Sequence, residues 1–178
     1  MPRTGLTLLL CCILPGAGCE RGADSGAPQE AAVATPDQRF AAQGLRITEM
    51  RDGRVLWRGT VASAAGDDLE TTTVEQISLR REPQGEGESA LTIDATRGEL
   101  RLADGQARFE EVRIRDAQAN LELTAASARY VEAQGQILAE GPIDLRGPGL
   151  HARAHSGVIH IGDRRLDLAG PVRGTWEP

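Results

Sequence analysis

The chain has 178 residues, enough for one domain and too few for two large ones. A formal charge of −6 argues against nucleic-acid binding, which needs a basic footprint to neutralise phosphates. Aromatic residues are only 3% of the chain, so a core has to be built from Leu, Val, Ile and Ala. Every one of the 20 basic residues is arginine, a coding bias on which no function is built. Along the chain these arginines alternate with Asp and Glu, as on a solvated sheet face, and no basic stripe with interleaved aromatics occurs.

Residues 1–19 differ from everything after them. Arg3 precedes an apolar run over 6–14, and Pro15, Gly16, Ala17 and Gly18 lead to Cys19. That order is the pattern of a secretory signal. The run is far short of the ~20 residues needed to cross a bilayer. Small residues directly before a cysteine suggest a lipobox, with cleavage before Cys19 and acylation of its thiol. Gly16 stands where lipoboxes usually carry Leu, so ordinary cleavage and an uncleaved short anchor remain alternatives. Cys11 and Cys12 would leave with the signal, and Cys19 alone offers no internal disulfide. Residues 20–39 are Ala, Gly, Pro, Ser, Thr, Gln and charge with one isolated Val33, too polar to offset the entropy of ordering, and are expected to form a disordered tether.

A folded domain is expected over 40–178. No stretch keeps a helical period. Apolar and polar residues alternate over short runs, as in Leu121-Glu122-Leu123-Thr124-Ala125 and Leu150-His151-Ala152-Arg153-Ala154, punctuated by Gly, Asp and Asn. An internal repeat of about 30 residues follows. Leu91, Ile93, Ala95, Gly98 and Leu100 are echoed by Leu121, Leu123, Ala125, Ala128 and Tyr130, then by Leu150, Ala152, Ala154, Gly157 and Ile159. Ala107 and Phe109 align with Ile137 and Ala139 and with Leu166 and Leu168, and two units close on Gly141-Pro142-Ile143 and Gly170-Pro171-Val172. A degenerate earlier copy places Val74 to Leu79 against Phe109 to Ile114. Each unit reads as strand, turn, strand, turn, strand. Stacked units bury an apolar interior between two sheet layers, so the fold class is all-β with a dozen or more short strands, and the Gly-Pro pairs mark edges or bends.

This repeat, preceded by Gly53 and Trp57 in an opening strand, resembles the LptC family of lipopolysaccharide export. The likeness lies in the pattern apolar-x-Ala-x-x-small-x-aromatic, here Leu123 to Tyr130, and in the Gly-x-Val turn from Gly170 to Val172. Related repeats also occur in LptA and LptD. The resemblance implies an open β-jellyroll, a V-shaped pair of antiparallel sheets whose interior accepts acyl chains. It implies a periplasm-facing, membrane-anchored component, the inner membrane favoured and the outer membrane the alternative, that receives lipopolysaccharide from an inner-membrane ABC transporter complex and passes it to an LptA-like protein. The groove residues would be Trp57, Ile93, Leu100, Phe109, Leu123, Tyr130, Ile137, Leu150 and Ile159. An edge bearing Gly170, Val172 and Thr175 would dock the partner, a reading the resemblance favours over a merely guarded edge, which Pro171 and its flanking glycines would also suit. The family usually carries a transmembrane helix where this chain has a lipoprotein-type signal.

No enzyme activity, cofactor or metal is expected. His151 and His155 share a strand face but stand about 13 Å apart at ~3.3 Å per residue, too far for one ion. His160 adds no closer ligand, and Asp67-Asp68 suits a turn better than an acid–base pair. A structural or assembly lipoprotein with a dry, closed β-stack, acting through its surface, is the alternative of a different class.

Overall fold

The computed structural model describes residues 40–67, 70–85, 88–101 and 103–177. The signal, Cys19 and the tether therefore lie outside the described residues, as does Asp68 of the expected turn. Ten antiparallel strands make one sheet: β1 (Phe40–Arg51), β2 (Arg54–Gly66), β3 (Thr71–Arg81), β4 (Leu91–Arg101), β5 (Gln106–Asp116), β6 (Leu121–Val131), β7 (Gln136–Gly147), β8 (Leu150–His160), β9 (Arg165–Ala169) and β10 (Arg173–Trp176). From β1 to β8 each strand pairs with the next, and both β9 and β10 pair with β8. A single 3-10 turn, Glu132–Gln134, is the only helical piece among the described residues.

The fold is all-β, as the alternation predicts, but its strands are fewer and longer. β1 to β8 each hold 11 to 13 residues. Runs that read as separate strands, 91–95 and 98–100, are the two halves of β4. The reason is a bend in mid-strand that shifts the inward parity by one. In β2, Trp57 and Val61 are buried, and the next buried position is Ala64.

These bends fall on one line across the sheet. Gly44, Gln76, Glu111 and Gly141 have positive φ in the middle of β1, β3, β5 and β7, and Gly170 has it between β9 and β10. Gln76 and Glu111 occupy matching places in the two echoing segments, so the repeat is a repeat of bends. At Gly141-Pro142 the register moves from Glu140↔Ser156 to Ile143↔Ala154, two residues facing His155 alone. A bulge of this kind bends the strand and tolerates a proline, which has no N–H for the ladder. Gly170-Pro171 repeats the device, so β9 and β10 are the two halves of one bent strand along β8.

Folding along this line brings the sheet's two halves face to face. One layer holds β10 with the C-terminal halves of the odd strands and the N-terminal halves of the even ones. The other holds β9 and the remaining halves. Trp57 of β2 meets Tyr130 of β6 edge-on, with ring centroids 5.6 Å apart and planes at 71°. Val61, Val74, Ile93, Phe109, Val112, Ile137 and Ile143 are almost wholly shielded between the layers. Each such side chain contributes roughly 1.5–3 kcal/mol. The small residue of each repeat is also explained. Gly98 lies between Val74 and Phe109 in the register, and a Cβ there would stand 2.7 Å from Ile77 Cδ1 and 3.1 Å from Phe109 Cδ1.

Candidate functional site

The inward faces of both layers form one apolar interior that opens at the strand ends, opposite the line of bends. Two cavities lie in it. The first, about 100 Å³, is bounded by Ile47, Trp57, Leu79, Ile93, Leu100, Phe109 and Tyr130, with Glu49 beside them. The second, about 90 Å³, is bounded chiefly by Leu91, Ile114, Leu121, Leu123, Leu145, Ile159 and Leu166. Of the nine groove residues expected from sequence, Trp57, Ile93, Leu100, Phe109 and Tyr130 line the first, and Leu123 and Ile159 the second. Ile137 is fully shielded in the core and Leu150 packs against the core, and neither borders either of these two cavities. Both spaces are smaller than the ~300 Å³ at which small-molecule sites begin.

Charged groups guard the opening. At the rim of the β10-bearing layer, Glu49, Trp57, Arg81, Leu91, Asp116 and Leu121 follow one another across neighbouring strands. Arg51 forms an ion pair with Glu132 of the opposite layer, closing the mouth beside Trp57. Arg81 pairs with Glu88 at 3.0 Å with only 15% of its side chain exposed. Burial works to raise the Asp116 carboxyl, but backbone N–H groups of Ala119 and Gln118, both at 2.9 Å, and the Ser89 hydroxyl hold it below the usual range, aided by Arg164. Arg164 belongs to the opposite layer's end, so a second electrostatic contact spans the mouth.

Glu49 is the site residue that sequence reasoning missed. It faces Trp57 across the strand pair, and its Oε1 is shielded and has no hydrogen-bond partner among the described residues. Burial pushes its carboxyl above the usual range, against the pull of Arg51. Burial also raises the Tyr130 hydroxyl, which accepts a hydrogen bond from the Trp57 indole N–H and feels the Glu49 charge. The available signal was the parity of β1, where Leu45, Ile47 and Glu49 share a face.

The expected docking edge is exposed. β10 is hydrogen-bonded on one side only among the described residues, to β8. Val172 is 48% exposed, Thr175 pairs with His151, and Gly170 has φ of 88° at the bend. Trp176, opposite Leu150 and hence on the inward side, is 68% exposed, so the interior is uncovered at this end. No three His, Cys, Asp or Glu side chains converge as metal ligands among the described residues, and none of their helices is long and apolar enough to cross a membrane.

No protein-family model matches the chain, and no curated protein does. Among solved structures, it is similar to LptH of Pseudomonas aeruginosa, described as the LptA-homologous periplasmic component of the conserved lipopolysaccharide transport device. The two are 7% identical, over 78% of this chain and 94% of that one, with a TM-score of 0.33. So distant a likeness gives this chain neither a family nor a function.

Proposed function

We propose that this domain is a periplasmic lipopolysaccharide transport component that takes lipid from an inner-membrane ABC transporter complex and hands it to an LptA-like protein. The observation that carries the reading is an apolar interior opening along a charged rim and left uncovered beside β10. Such an interior suits acyl chains, and the rim suits the polar headgroup that must stay in water. A lipidated Cys19 would hold the domain at the membrane, and the edge of β10 would receive the partner sheet.

The near-complete shielding of Phe109, Ile137 and Ile143 favours a second reading, a structural envelope lipoprotein with a dry stack. A photocrosslinking residue at Leu123 separates the two. On the transport reading it captures lipopolysaccharide in cells, whereas the same residue at Arg108 or Arg129, on the outer face of the other layer, does not. Equal capture at all three positions, or none, removes the groove.

A further inference from the structure

Residues directly opposite on antiparallel neighbours point the same way, so charges scattered along the chain become rows across a sheet. On the outer face of the β10-bearing layer, one row includes Arg58, Arg80, Arg115 and Arg146, with Thr92, Glu122 and His151 among them. The next includes Arg46, Arg113, Arg153 and Arg173, with Asp94 and Asp144 among Thr and Ser residues. All eight arginines are exposed. Three carboxylates share the strand positions of this face, Glu82 borders it near Arg58 and Arg80, and Glu111 borders it on the line of bends near Asp94 and Arg113. Asp144 alone serves His151, Arg146 and Arg153, whose hydrogen bonds hold its carboxyl well below the usual range. Arg46 and Arg173 make no ion pair among the described residues. On the other layer's outer face, Arg97, Arg101, Arg108, Arg129 and Arg165 are matched by Glu75, Glu99, Glu110, Glu140 and Asp167. A chain of net charge −6 thus carries one basic face. Reading along a strand hides it, because each arginine's acidic sequence neighbours belong to other rows or to the far layer.

We propose that this face lies on an anionic, phosphate-bearing lipid surface. It is broad, about 40 Å across at ~4.8 Å per strand, and its strand rows are polar, without the aromatic anchors that protein interfaces and single-stranded nucleic acid use. Guanidinium forks match phosphate oxygens in pairs. If Cys19 is the membrane anchor, as proposed above, only residues 20–39 lie between it and β1. Held that close to a bilayer, the domain turns its basic face toward the phosphates. The inference is independent of the groove.

The test uses the full chain carrying Cys19→Ser, to remove acylation, with vesicles of phosphatidylcholine alone or mixed with phosphatidylglycerol. Binding to the mixed vesicles should be about tenfold tighter or more, and should weaken with salt. The combined variant Arg58→Gln, Arg80→Gln, Arg113→Gln and Arg146→Gln should lose that preference. Arg97→Gln, Arg108→Gln, Arg129→Gln and Arg165→Gln together change net charge equally and should keep it. Thermal melts check both folds, and if the first variant is unfolded, vesicle protection of the wild-type arginines from phenylglyoxal replaces it. Equal loss in both variants, no preference for phosphatidylglycerol, no protection, or binding to an oligonucleotide or acidic polypeptide but not to vesicles overturns the proposal.

Discussion

Glu49 shows how one residue shapes the interior. Its carboxyl is raised by burial, so between the ordinary carboxylate range and its folded value the native state holds a proton that the unfolded chain has released. Stability therefore falls as pH rises through that window and is recovered below about 4.5, the unfolded value. Replacing Glu49 with Gln removes the titration. The variant should melt at a higher temperature than wild type at neutral pH, and the gap should close on acidification to about pH 4. A gap independent of pH in calorimetric melts would show that folding leaves the Glu49 titration unshifted, and one that widens on acidification would show that the fold stabilises its anion. Part of the inward apolar set was legible in the sequence, with Trp57, Phe109 and Tyr130 among the positions that the resemblance implied. Glu49 was not, because a charge on the apolar face of an edge strand looks like any surface carboxylate until Trp57 and Tyr130 enclose it.

At the scale of the element, the repeat was visible as small and apolar residues at fixed spacing, but its physical meaning lies in the bends. A bend needs one residue in the left-handed region, and the chain meets this need with glycine at positions 44, 141 and 170 and with Gln76 and Glu111 elsewhere. Only the glycine copies announce themselves in sequence. Gln76 and Glu111 look like ordinary outward strand residues, which is why half-strands were counted as strands. Gly141→Val should destabilise the domain by about 1–3 kcal/mol, since its φ of 89° strains a side chain and its Cβ would lie 2.7 Å from that of Ala126. Glu111→Gly, at φ of 53°, should cost less than about 0.5 kcal/mol, because relief of strain offsets the lost hydrogen bond from Thr96 and the added chain entropy. Denaturant titration of the two variants measures both. A larger loss at Glu111 than at Gly141 would mean that the bends are held by their side chains and not by backbone geometry.

Across the whole molecule the two ends of the folded sheet differ in what they leave open. At β1 the strand runs twelve residues beside β2, and Leu45 and Ile47 pack on the core. At the other end β10 is four residues long, every one exposed, with Val172 and Trp176 bare. An unpaired edge next to an uncovered apolar interior is the geometry that accepts another sheet, by strand addition and by continuing the core. Because β10 buries so little, deleting 170–178 should leave the domain folded, with a melting temperature lowered by a few degrees, about 1 kcal/mol. On the transport reading the same deletion should abolish capture of an LptA-like partner while lipid crosslinking at Leu123 persists. The two readouts separate docking from the groove. If the truncated, folded protein still captures that partner as well as the full chain does, the dock is not at β10, and β1 becomes the edge to test. If instead the truncated protein unfolds, Val172→Asp with Trp176→Ser in the intact chain asks the same question, since both side chains are exposed and their loss should leave the core undisturbed.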